Sequence, residues 1–518
     1  MPDKYPIGEQ NFAKIRNHDL LYVDKTAYIH RMVTSGSAYY FLSRPRRFGK
    51  SLLISTLEQY FKGNRDLFQG LAIDKLQPEP WPRHTVLHLD FNRQQYSTPQ
   101  DLKDLINDYL VQWEQLYGSR SSEGSLTLRF LGVIERAHAT TGNGVVILID
   151  EYDKPLLDAM DDPELEEINR QTLKSFYGAM KSAQDALRFV MLTGVGKIAQ
   201  LNVFSGLNNI RDISMVNEYA GICGITEEEL HSDLQKGVDS MAQEHSVTTE
   251  NVFGLLKRNY DGYHFSKKLL DVYNPYSLLT ALADKEIGDY WYRTGTPTHL
   301  IKVLKKDYLN IKNIEGVEVD GNKLLDGNVV GTDPIPVLFY SGYLTIKKWE
   351  PEFGLYQLGF PNLEVKRGFL GNVLDVLAND SKMESTTIIL RMRKALMQNN
   401  VSEFLKLLKP YIARFDYAMD AANEYHYQDI FYAISFLLGF QCDIEVHTSK
   451  RRIDMVLGTK THVYLMEFKL NTSAAMALEQ INDRGYAIPF ELDGRKIVKV
   501  GINFSSKTNT ISDWQIEE

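Results

Sequence analysis

The sequence predicts an α/β protein built from three successive domains. In the first part of the 518-residue chain, short apolar runs alternate with helical patterns. This alternation is typical of a parallel sheet with helices on both faces. A helix-rich stretch follows, and the chain ends in a second α/β region. Because one hydrophobic core rarely extends beyond roughly 250 to 300 residues, we expect three domains, at residues 1–220, 221–400 and 401–518.

Composition narrows the class of protein. The net charge is −9, with 43% hydrophobic and 24% charged residues. This argues against a protein coated in basic surface for nucleic acid, although a local basic groove stays open. No apolar run approaches the roughly 18 to 20 residues that a membrane span needs. The start of the chain, MPDKYPIGEQNF, lacks the pattern of a secretory signal. We therefore expect a cytoplasmic protein with no membrane partner.

Apolar runs predict the strands. In the first domain they lie at residues 39–42, 85–89, 145–149 and 189–192, with helical patterns between them. The middle domain contains one small β element, which we expect at residues 337–347. The last domain begins with a helical pattern and continues with strands at residues 442–446, 453–457 and 463–470.

The strand at residues 39–42 leads into a loop that ends in Gly49-Lys50-Ser51 and then into a helical pattern. This is the context of a phosphate-binding loop. Lysine contacts the β and γ phosphates, serine binds magnesium, and the helix supplies exposed N–H groups. Arg44 stands where the usual pattern has its first glycine. A left-handed residue other than glycine costs about 1–2 kcal/mol, so Arg44 implies a different loop entry and not a lost site.

We interpret the whole loop as the nucleotide contact surface. Arg46 and Arg47 either reach phosphate or pair with acids elsewhere, and the sequence leaves both alternatives open. The candidate nucleotide contacts are Arg44, Pro45, Arg46, Arg47, Phe48, Gly49, Lys50, Ser51 and Leu52.

Two acids follow the buried strand at residues 145–149. In an ATPase, Asp150 at this place holds magnesium through water, and Glu151 polarises the attacking water. Asp and Glu are also common where a chain simply turns after a strand. The ATPase interpretation of this pair therefore depends on Gly49-Lys50-Ser51 upstream. We therefore predict ATP and Mg²⁺ as cofactors, with Ser51 and Asp150 on the magnesium side.

A second group of polar residues lies near the C-terminus. Glu467 and Lys469 are two apart in a predicted strand, so they project from one face, and Asp454 belongs to the strand before. Two carboxylates can bind a divalent cation, and a nearby lysine can act on water or on the phosphate charge. An exposed charge pair on a strand has the same spacing, and this alternative stays open.

Several motifs resemble those of bacterial AAA-ATPase-like proteins that carry a C-terminal nuclease-like domain. They are Tyr22-Val23-Asp24-Lys25-Thr26, Arg44-Pro45-Arg46-Arg47-Phe48-Gly49-Lys50-Ser51, Ile149-Asp150-Glu151-Tyr152-Asp153, Leu207-Asn208-Asn209, Asp261-Gly262-Tyr263, Tyr273-Asn274-Pro275-Tyr276 and Ser341-Gly342-Tyr343-Leu344-Thr345. The resemblance implies a P-loop NTPase domain, a helix-rich lid or connector, and a restriction-endonuclease-like domain. It also implies that an arginine at position 44 is usual and that Thr193 lies near the γ phosphate as a sensor residue.

The C-terminal group resembles the PD-(D/E)XK nucleases. This resemblance implies catalytic roles for Asp454, Glu467 and Lys469, with Glu424 on the preceding helix as a further metal ligand. It implies that Gln480 contacts the phosphate side, and that the metal is Mg²⁺ or Mn²⁺. Arg451 replaces the glycine that these proteins usually have before Arg-Ile-Asp, which alters the entry to the Asp454 strand without removing a ligand.

The sequence thus supports two hypotheses of different classes. The first is an ATPase joined to a metal-dependent nuclease that acts on DNA or RNA, in defence or in mobile-element biology. The second is a nucleotide-switched interaction protein whose nuclease-like domain binds a partner without cleaving. A homo-oligomer is compatible with either hypothesis.

Overall fold

The computed structural model describes residues 4–77, 80–197, 209–291, 314–326, 334–377, 385–413, 424–447 and 452–518. Its contacts divide the chain into two compact units, which are described separately. The larger unit comprises Met1–Gly295 and Gly316–Val365, and the smaller unit comprises Thr296–Glu315 and Lys366–Glu518. The three-domain division at residues 220 and 400 stays a prediction.

The larger unit is built on a parallel sheet of five strands in the order β2-β3-β4-β1-β5. The strands are β1 (Tyr39–Ser43), β2 (Val86–Asp90), β3 (Val145–Asp150), β4 (Leu187–Gly194) and β5 (Arg211–Asp212). β1 and β3 are buried at every position because helices cover both of their faces. The predicted parallel α/β fold is therefore confirmed.

Eight helices accompany this sheet in the described part of its sequence. They are α1 (Phe12–Asn17), α2 (Thr26–Thr34), α3 (Lys50–Phe61), α4 (Ala72–Leu76), α5 (Pro99–Tyr117), α6 (Leu126–Thr141), α7 (Lys154–Asp158) and α8 (Pro163–Ser182). α5, α6 and α8 bury their apolar sides on one face of the sheet. α3 packs on the other face, where the rings of Phe61 and Phe189 lie 5.0 Å apart.

The rest of the larger unit is mainly helical. Its helices are α9 (Glu227–Asp233), α10 (Gln235–His245), α11 (Thr249–Tyr260), α12 (Pro275–Asp284), α13 (Gly321–Asp326) and α14 (Ile335–Tyr340). β6 (Ile225–Thr226) and β7 (Val272–Tyr273) form a two-stranded sheet. β8 (Val317–Asp320), β9 (Thr345–Glu350) and β10 (Leu355–Gly359) form an antiparallel sheet in the order β8-β10-β9.

The predicted β element at residues 337–347 is correct only from Thr345 onward and wrong before it. α14 occupies Ile335–Tyr340, and the strand begins only at Thr345. Pro336 lies in the first turn of this helix, where the missing N–H of proline costs nothing. The apolar run is buried on all sides, so it shows no periodicity that would separate a short helix from a strand.

The smaller unit contains a mixed sheet of five strands in the order β11-β12-β13-β14-β15. Its strands are β11 (Gln441–His447), β12 (Arg452–Gly458), β13 (His462–Leu470), β14 (Lys496–Ser505) and β15 (Thr510–Glu517). β13 and β14 are parallel and the other pairs are antiparallel. The first three strands were predicted, whereas β14 and β15 were not.

The helices in this last part of the chain are α15 (Leu363–Leu377), α16 (Ser385–Met397), α17 (Val401–Ile412), α18 (Glu424–Leu437) and α19 (Ala474–Asp483). α15 begins just before the sequence boundary between the two units. Within the described ranges, no helix combines the length and the apolar character that crossing a membrane requires.

α19 approaches the sheet of the smaller unit at a glycine. A Cβ added to Gly501, on β14, would lie 2.3 Å from the carbonyl oxygen of Ala474 and 2.8 Å from the amide nitrogen of Leu478. Both contacts are with the backbone of α19, which cannot move aside as a flexible side chain can. The position of α19 on the sheet therefore depends on the absence of a side chain at residue 501.

We predict that Gly501→Ala lowers the free energy of unfolding by about 1–3 kcal/mol, because the methyl group overpacks the contact with α19. Calorimetric thermal unfolding of the full chain measures the effect. Gly178→Ala is the matched control, since Gly178 lies in α8 with open space around it and alanine favours a helix. Equal unfolding temperatures for the two variants would contradict the prediction.

Candidate functional site

The phosphate loop lies between β1, which ends at Ser43, and α3, which begins at Lys50. Gly49 caps α3 with a left-handed backbone (φ 90°), a conformation that favours glycine. No atom lies within 4 Å of a Cβ built at this position, so conformation and not crowding demands the glycine. The first N–H groups of α3 have no partner within the helix and are available at the end of the loop.

A cavity of about 340 Å³ opens at this loop. Its volume is in the range of small-molecule sites. Most of the predicted nucleotide contacts line it together with one predicted acid. They are Arg46, Arg47, Phe48, Gly49, Lys50, Ser51, Leu52 and Glu151.

Lys50 is almost completely buried, with 4% of its surface exposed, and oxygen atoms surround its ammonium group. Its Nζ lies 3.2 Å from Oε1 of Glu151. It also donates to the carbonyl oxygens of Arg44 (3.1 Å) and Pro45 (3.4 Å). The fold thus brings together Lys50 and Glu151, which are far apart in the chain. A phosphate group would offer the ammonium a stronger acceptor than the two carbonyls do.

Asp150 and Thr193 lie on neighbouring strands, and neither is among the residues that line the cavity. Asp150 ends β3, and the Thr193 hydroxyl on β4 donates to its Oδ1. Glu151 follows with a left-handed backbone (φ 51°), and its N–H donates to the same Oδ1 (3.1 Å). A left-handed residue other than glycine costs about 1–2 kcal/mol, and such strain clusters at functional sites. The strained turn directs Glu151 towards Lys50.

Asp153 is a buried acid that the sequence analysis did not assign to the site. Its Oδ2 accepts the N–H groups of Val195 (3.1 Å) and Gly196 (2.8 Å), just after β4. Burial, and then the charge of Glu151, raise the pKa of Asp153 to about 7. Asp153 therefore ties the turn after β3 to the turn after β4. The motif Asp150-Glu151-Tyr152-Asp153 contains it, but its contact depends on residues that are remote in sequence.

Arg44 and Pro45 lie behind the loop and not in the main cavity. The Arg44 side chain is buried and donates to the carbonyl oxygens of Ser43 (2.8 Å), Ser214 (2.7 Å) and Tyr219 (3.1 Å). Together with Pro45 it lines a separate cavity of about 20 Å³. The Arg44 guanidinium thus holds the entry to the loop, and the contact of Arg44 and Pro45 with nucleotide stays a prediction.

The remaining loop side chains have different partners. Arg47 has a left-handed backbone (φ 67°), and its guanidinium lies over the ring of Tyr276 at 4.7 Å. Phe48 is buried against Tyr263 (4.8 Å) and Phe265 (5.2 Å). The sequence left open whether the loop arginines reach phosphate or pair with acids. Among the described residues, Arg47 pairs with no acid and contacts the ring of Tyr276 instead.

The C-terminal residues also meet in space. Asp454 is on β12, and Glu467 and Lys469 are on the neighbouring β13. Oδ2 of Asp454 accepts the N–H of Phe468 (2.8 Å), and Nζ of Lys469 lies 3.4 Å from Oε1 of Glu467. Gln480, on α19, donates its amide to the same Oε1. The structure therefore brings together Asp454, Glu467, Lys469 and Gln480.

Glu467 has the properties expected of a metal ligand. Only 2% of it is exposed, and its Oε2 has no hydrogen-bond partner among the described residues. Burial and the nearby charge of Asp454 raise its pKa to about 7. A buried carboxylate oxygen without a donor is costly, and a divalent cation would satisfy it. The two-carboxylate donor set is of the hard oxygen type that Mg²⁺ and Mn²⁺ prefer.

The set of metal ligands is incomplete in the described residues. Nowhere in them do three or more His, Cys, Asp or Glu residues form a group that could hold a metal ion. Glu424 begins α18, but its side chain lies outside the described residues, as do Leu207, Asn208 and Arg451. Its assignment as a ligand stays a prediction.

Comparison with known proteins agrees with this division of sites. Residues 6–204 match the family model of the predicted AAA-ATPases. Residues 422–514 match that of the PD-(D/E)XK nuclease superfamily. The chain is also 34% identical over 529 residues to the "Uncharacterized protein in vnfD 5'region" of Azotobacter chroococcum mcd 1, and the match covers 99% of both chains. The chain therefore belongs to the bacterial AAA-ATPase-like family whose members carry a C-terminal domain of the PD-(D/E)XK nuclease superfamily.

Proposed function

We propose that the protein binds and hydrolyses ATP in the larger unit and cleaves nucleic acid in the smaller unit. The observation that carries the first activity is the contact of Lys50 with Glu151, at 3.2 Å, beside the 340 Å³ cavity. The second activity rests on Asp454, Glu467 and Lys469, which meet on adjacent strands around a buried oxygen that has no partner among the described residues.

In this proposal each residue of the larger unit has one task in ATP hydrolysis. Lys50 binds the terminal phosphates, while Ser51 and Asp150 bind magnesium directly or through water. Glu151 polarises the attacking water, and Thr193 orients Asp150 through its hydroxyl. When bound, magnesium supplies charge neutralisation at the phosphates.

A second cavity, of about 90 Å³, supports a nucleotide as the ligand. It shares six lining residues with the phosphate cavity, among them Phe48, Gly49 and Leu52. Its remaining lining is mostly apolar and includes Leu21, Tyr22, Val23, Ile222 and Cys223. A flat base fits an apolar pocket of this kind, next to a polar pocket that receives phosphates.

We predict that Glu151→Gln retains ATP binding and lowers the rate of hydrolysis about 10²- to 10⁴-fold, because the amide keeps the shape but cannot act as a base. Lys50→Ala should instead weaken ATP binding about 10- to 100-fold, through loss of a charged hydrogen-bond donor. Titration with a fluorescent ATP analogue and a phosphate-release assay separate the two effects. Hydrolysis at the wild-type rate in Glu151→Gln would remove Glu151 from its proposed role.

In the smaller unit, Asp454 and Glu467 would hold the divalent cation. Lys469, from β13, and Gln480, from α19, both contact Oε1 of Glu467, so in this proposal both lie close to a phosphate or water beside the metal. When bound, the cation lowers the pKa of a water molecule and draws charge from the phosphate. Lys469 would steady the charge that develops on the phosphate group, and Gln480 would fix the Glu467 carboxylate.

We predict that Asp454→Ala and Glu467→Ala each abolish metal-dependent cleavage, whereas Lys469→Ala impairs cleavage and leaves metal binding largely intact. The difference follows from role, since the acids hold the cation and the lysine acts on water or phosphate. A gel assay of oligonucleotide cleavage measures it, with the exposed Glu479→Ala as control. Cleavage that persists in the Asp454→Ala, Glu467→Ala double variant would point to another site.

A third prediction concerns pH. Because burial and Asp454 raise the pKa of Glu467 to about 7, its carboxyl carries a proton below that pH, and the proton competes with a cation. Without nucleotide, the affinity for Mn²⁺ should therefore rise about tenfold from pH 6 to pH 8. Calorimetric titration of the wild type, Glu467→Gln and Glu479→Gln tests this. Equal affinities at both pH values in the wild type would contradict it.

The test of the whole proposal is a cleavage assay on single-stranded, double-stranded and branched DNA and on RNA, with Mg²⁺ or Mn²⁺, with and without ATP. Metal-dependent cutting by the wild type, and not by Asp454→Ala, supports the nuclease. Nucleotide binding without any cutting would favour the nucleotide-switched interaction protein. In this proposal the protein acts in the cytoplasm, and its substrate is DNA or RNA. The biological setting is defence or mobile-element biology.

A further inference from the structure

A nuclease site must bind a negatively charged backbone next to its own acids. Residues 401–518 contain 13 Lys and Arg residues against 16 Asp and Glu residues, so this stretch does not attract nucleic acid by its net charge. Lys469 lies against Glu467 at 3.4 Å. A further cation, placed locally and not engaged by a carboxylate, would therefore matter for binding.

Arg484 occupies such a position because of how α19 ends. Its N–H donates to the carbonyl oxygen of Gln480 (3.2 Å), so the two residues are one helical turn apart and share a face. The Gln480 side chain contacts Glu467. Gly485 follows with a left-handed backbone (φ 63°) and ends the helix. Gln480 thus contacts the site acid Glu467, and Arg484 lies one turn further along the same face of the helix.

Tyr486 holds this arginine. The chain folds back after Gly485, and the Tyr486 N–H donates to the carbonyl oxygen of Ile481 (3.2 Å). The Tyr486 ring is fully buried, its hydroxyl accepts from Nη1 of Arg484 (2.9 Å), and it donates to the carbonyl oxygen of Arg452 (2.8 Å). Arg452 begins β12, the strand that carries Asp454. One tyrosine therefore links the guanidinium to the strand of the site acid.

The charge of Arg484 stays available. The hydrogen bond that Arg484 donates to Tyr486, together with the charges of Glu467 and Asp454, raises the pKa of Arg484. Both site acids are thus within electrostatic range of the guanidinium. Among the described residues, however, no carboxylate comes within ion-pair distance of it, and the residue is half-buried and not enclosed. A guanidinium presents donors in a planar fork that matches two phosphate oxygens.

We propose that Arg484 binds a backbone phosphate of the nucleic acid at the Asp454–Glu467 site and that Tyr486 positions it there. The inference rests on the proposed nuclease function and adds the group that holds the substrate. The ligand is the phosphodiester itself, so the contact is independent of base sequence.

The test compares Arg484→Gln with Arg495→Gln in the full chain. Arg495 is also half-buried, but it is already paired with Asp493 (2.6 Å). Binding of a labelled DNA duplex and of its single strand is measured in EDTA over a salt series. Arg484→Gln should weaken binding about tenfold and reduce the slope of log affinity against log salt by about 1. Arg495→Gln should change neither.

Two further variants separate charge from position. Arg484→Lys keeps the charge and should retain the salt slope while regaining only part of the affinity. Tyr486→Phe should raise KM for cleavage more than it lowers kcat and leave the salt slope unchanged, because the arginine is present but less ordered. Calorimetric unfolding checks that each variant is folded.

The outcomes are distinguishable. If the wild type cuts nucleic acid and Arg484→Gln matches Arg495→Gln in affinity, salt slope and KM, the role of Arg484 is overturned while the nuclease stands. If the wild type neither binds nor cuts any of the nucleic acids, the nuclease proposal and this inference are both overturned. A smaller salt slope in folded Arg484→Gln alone supports the phosphate contact.

Discussion

The phosphate loop depends on one buried cation whose hydrogen bonds go to backbone carbonyls. Arg44 donates to Ser43, Ser214 and Tyr219, and its guanidinium lies 4.2 Å from the centre of the Phe265 ring. Burial lowers its pKa to about 10, so it stays charged at neutral pH. One guanidinium thus serves three backbone carbonyls at once. Arg44 thus fixes the entry to the loop, while the end of the loop, Gly49-Lys50-Ser51, lines the cavity.

Residues of several downstream motifs also hold the phosphate loop in place. Tyr263 packs on Phe48 and Tyr276 lies under Arg47. Gly342, with a left-handed backbone (φ 88°), leaves room for Pro45, since a Cβ there would come within 2.7 Å of the proline ring. These residues come from segments far downstream of the loop. The specificity of the motifs therefore reflects the demand to hold a short loop from several sides as well as the demand to bind a ligand.

How much the sequence reveals depends on the range of each interaction. Buried strands were predicted from continuous apolar runs, and Glu467 and Lys469 were placed on one face by the two-residue period of a strand. The position of the Arg44 side chain, in contrast, depends on a carbonyl 170 residues away, and no local sequence pattern predicts it. The apolar residues 337–340 were predicted as part of a strand and form a helix, because a short helix and a strand have the same apolar pattern when every face is covered.

Two buried acids have similarly raised pKa values but differ in the hydrogen bonds that their oxygens accept. Asp153 and Glu467 are both buried beside another carboxylate, and the pKa of each is raised to about 7. Asp153 accepts two backbone N–H groups, so its oxygens already serve the turn after β4. Glu467 keeps one buried oxygen without a donor in the described residues. A raised pKa is therefore common to both acids. What separates Glu467, the proposed metal ligand, from Asp153 is the oxygen without a donor among the described residues.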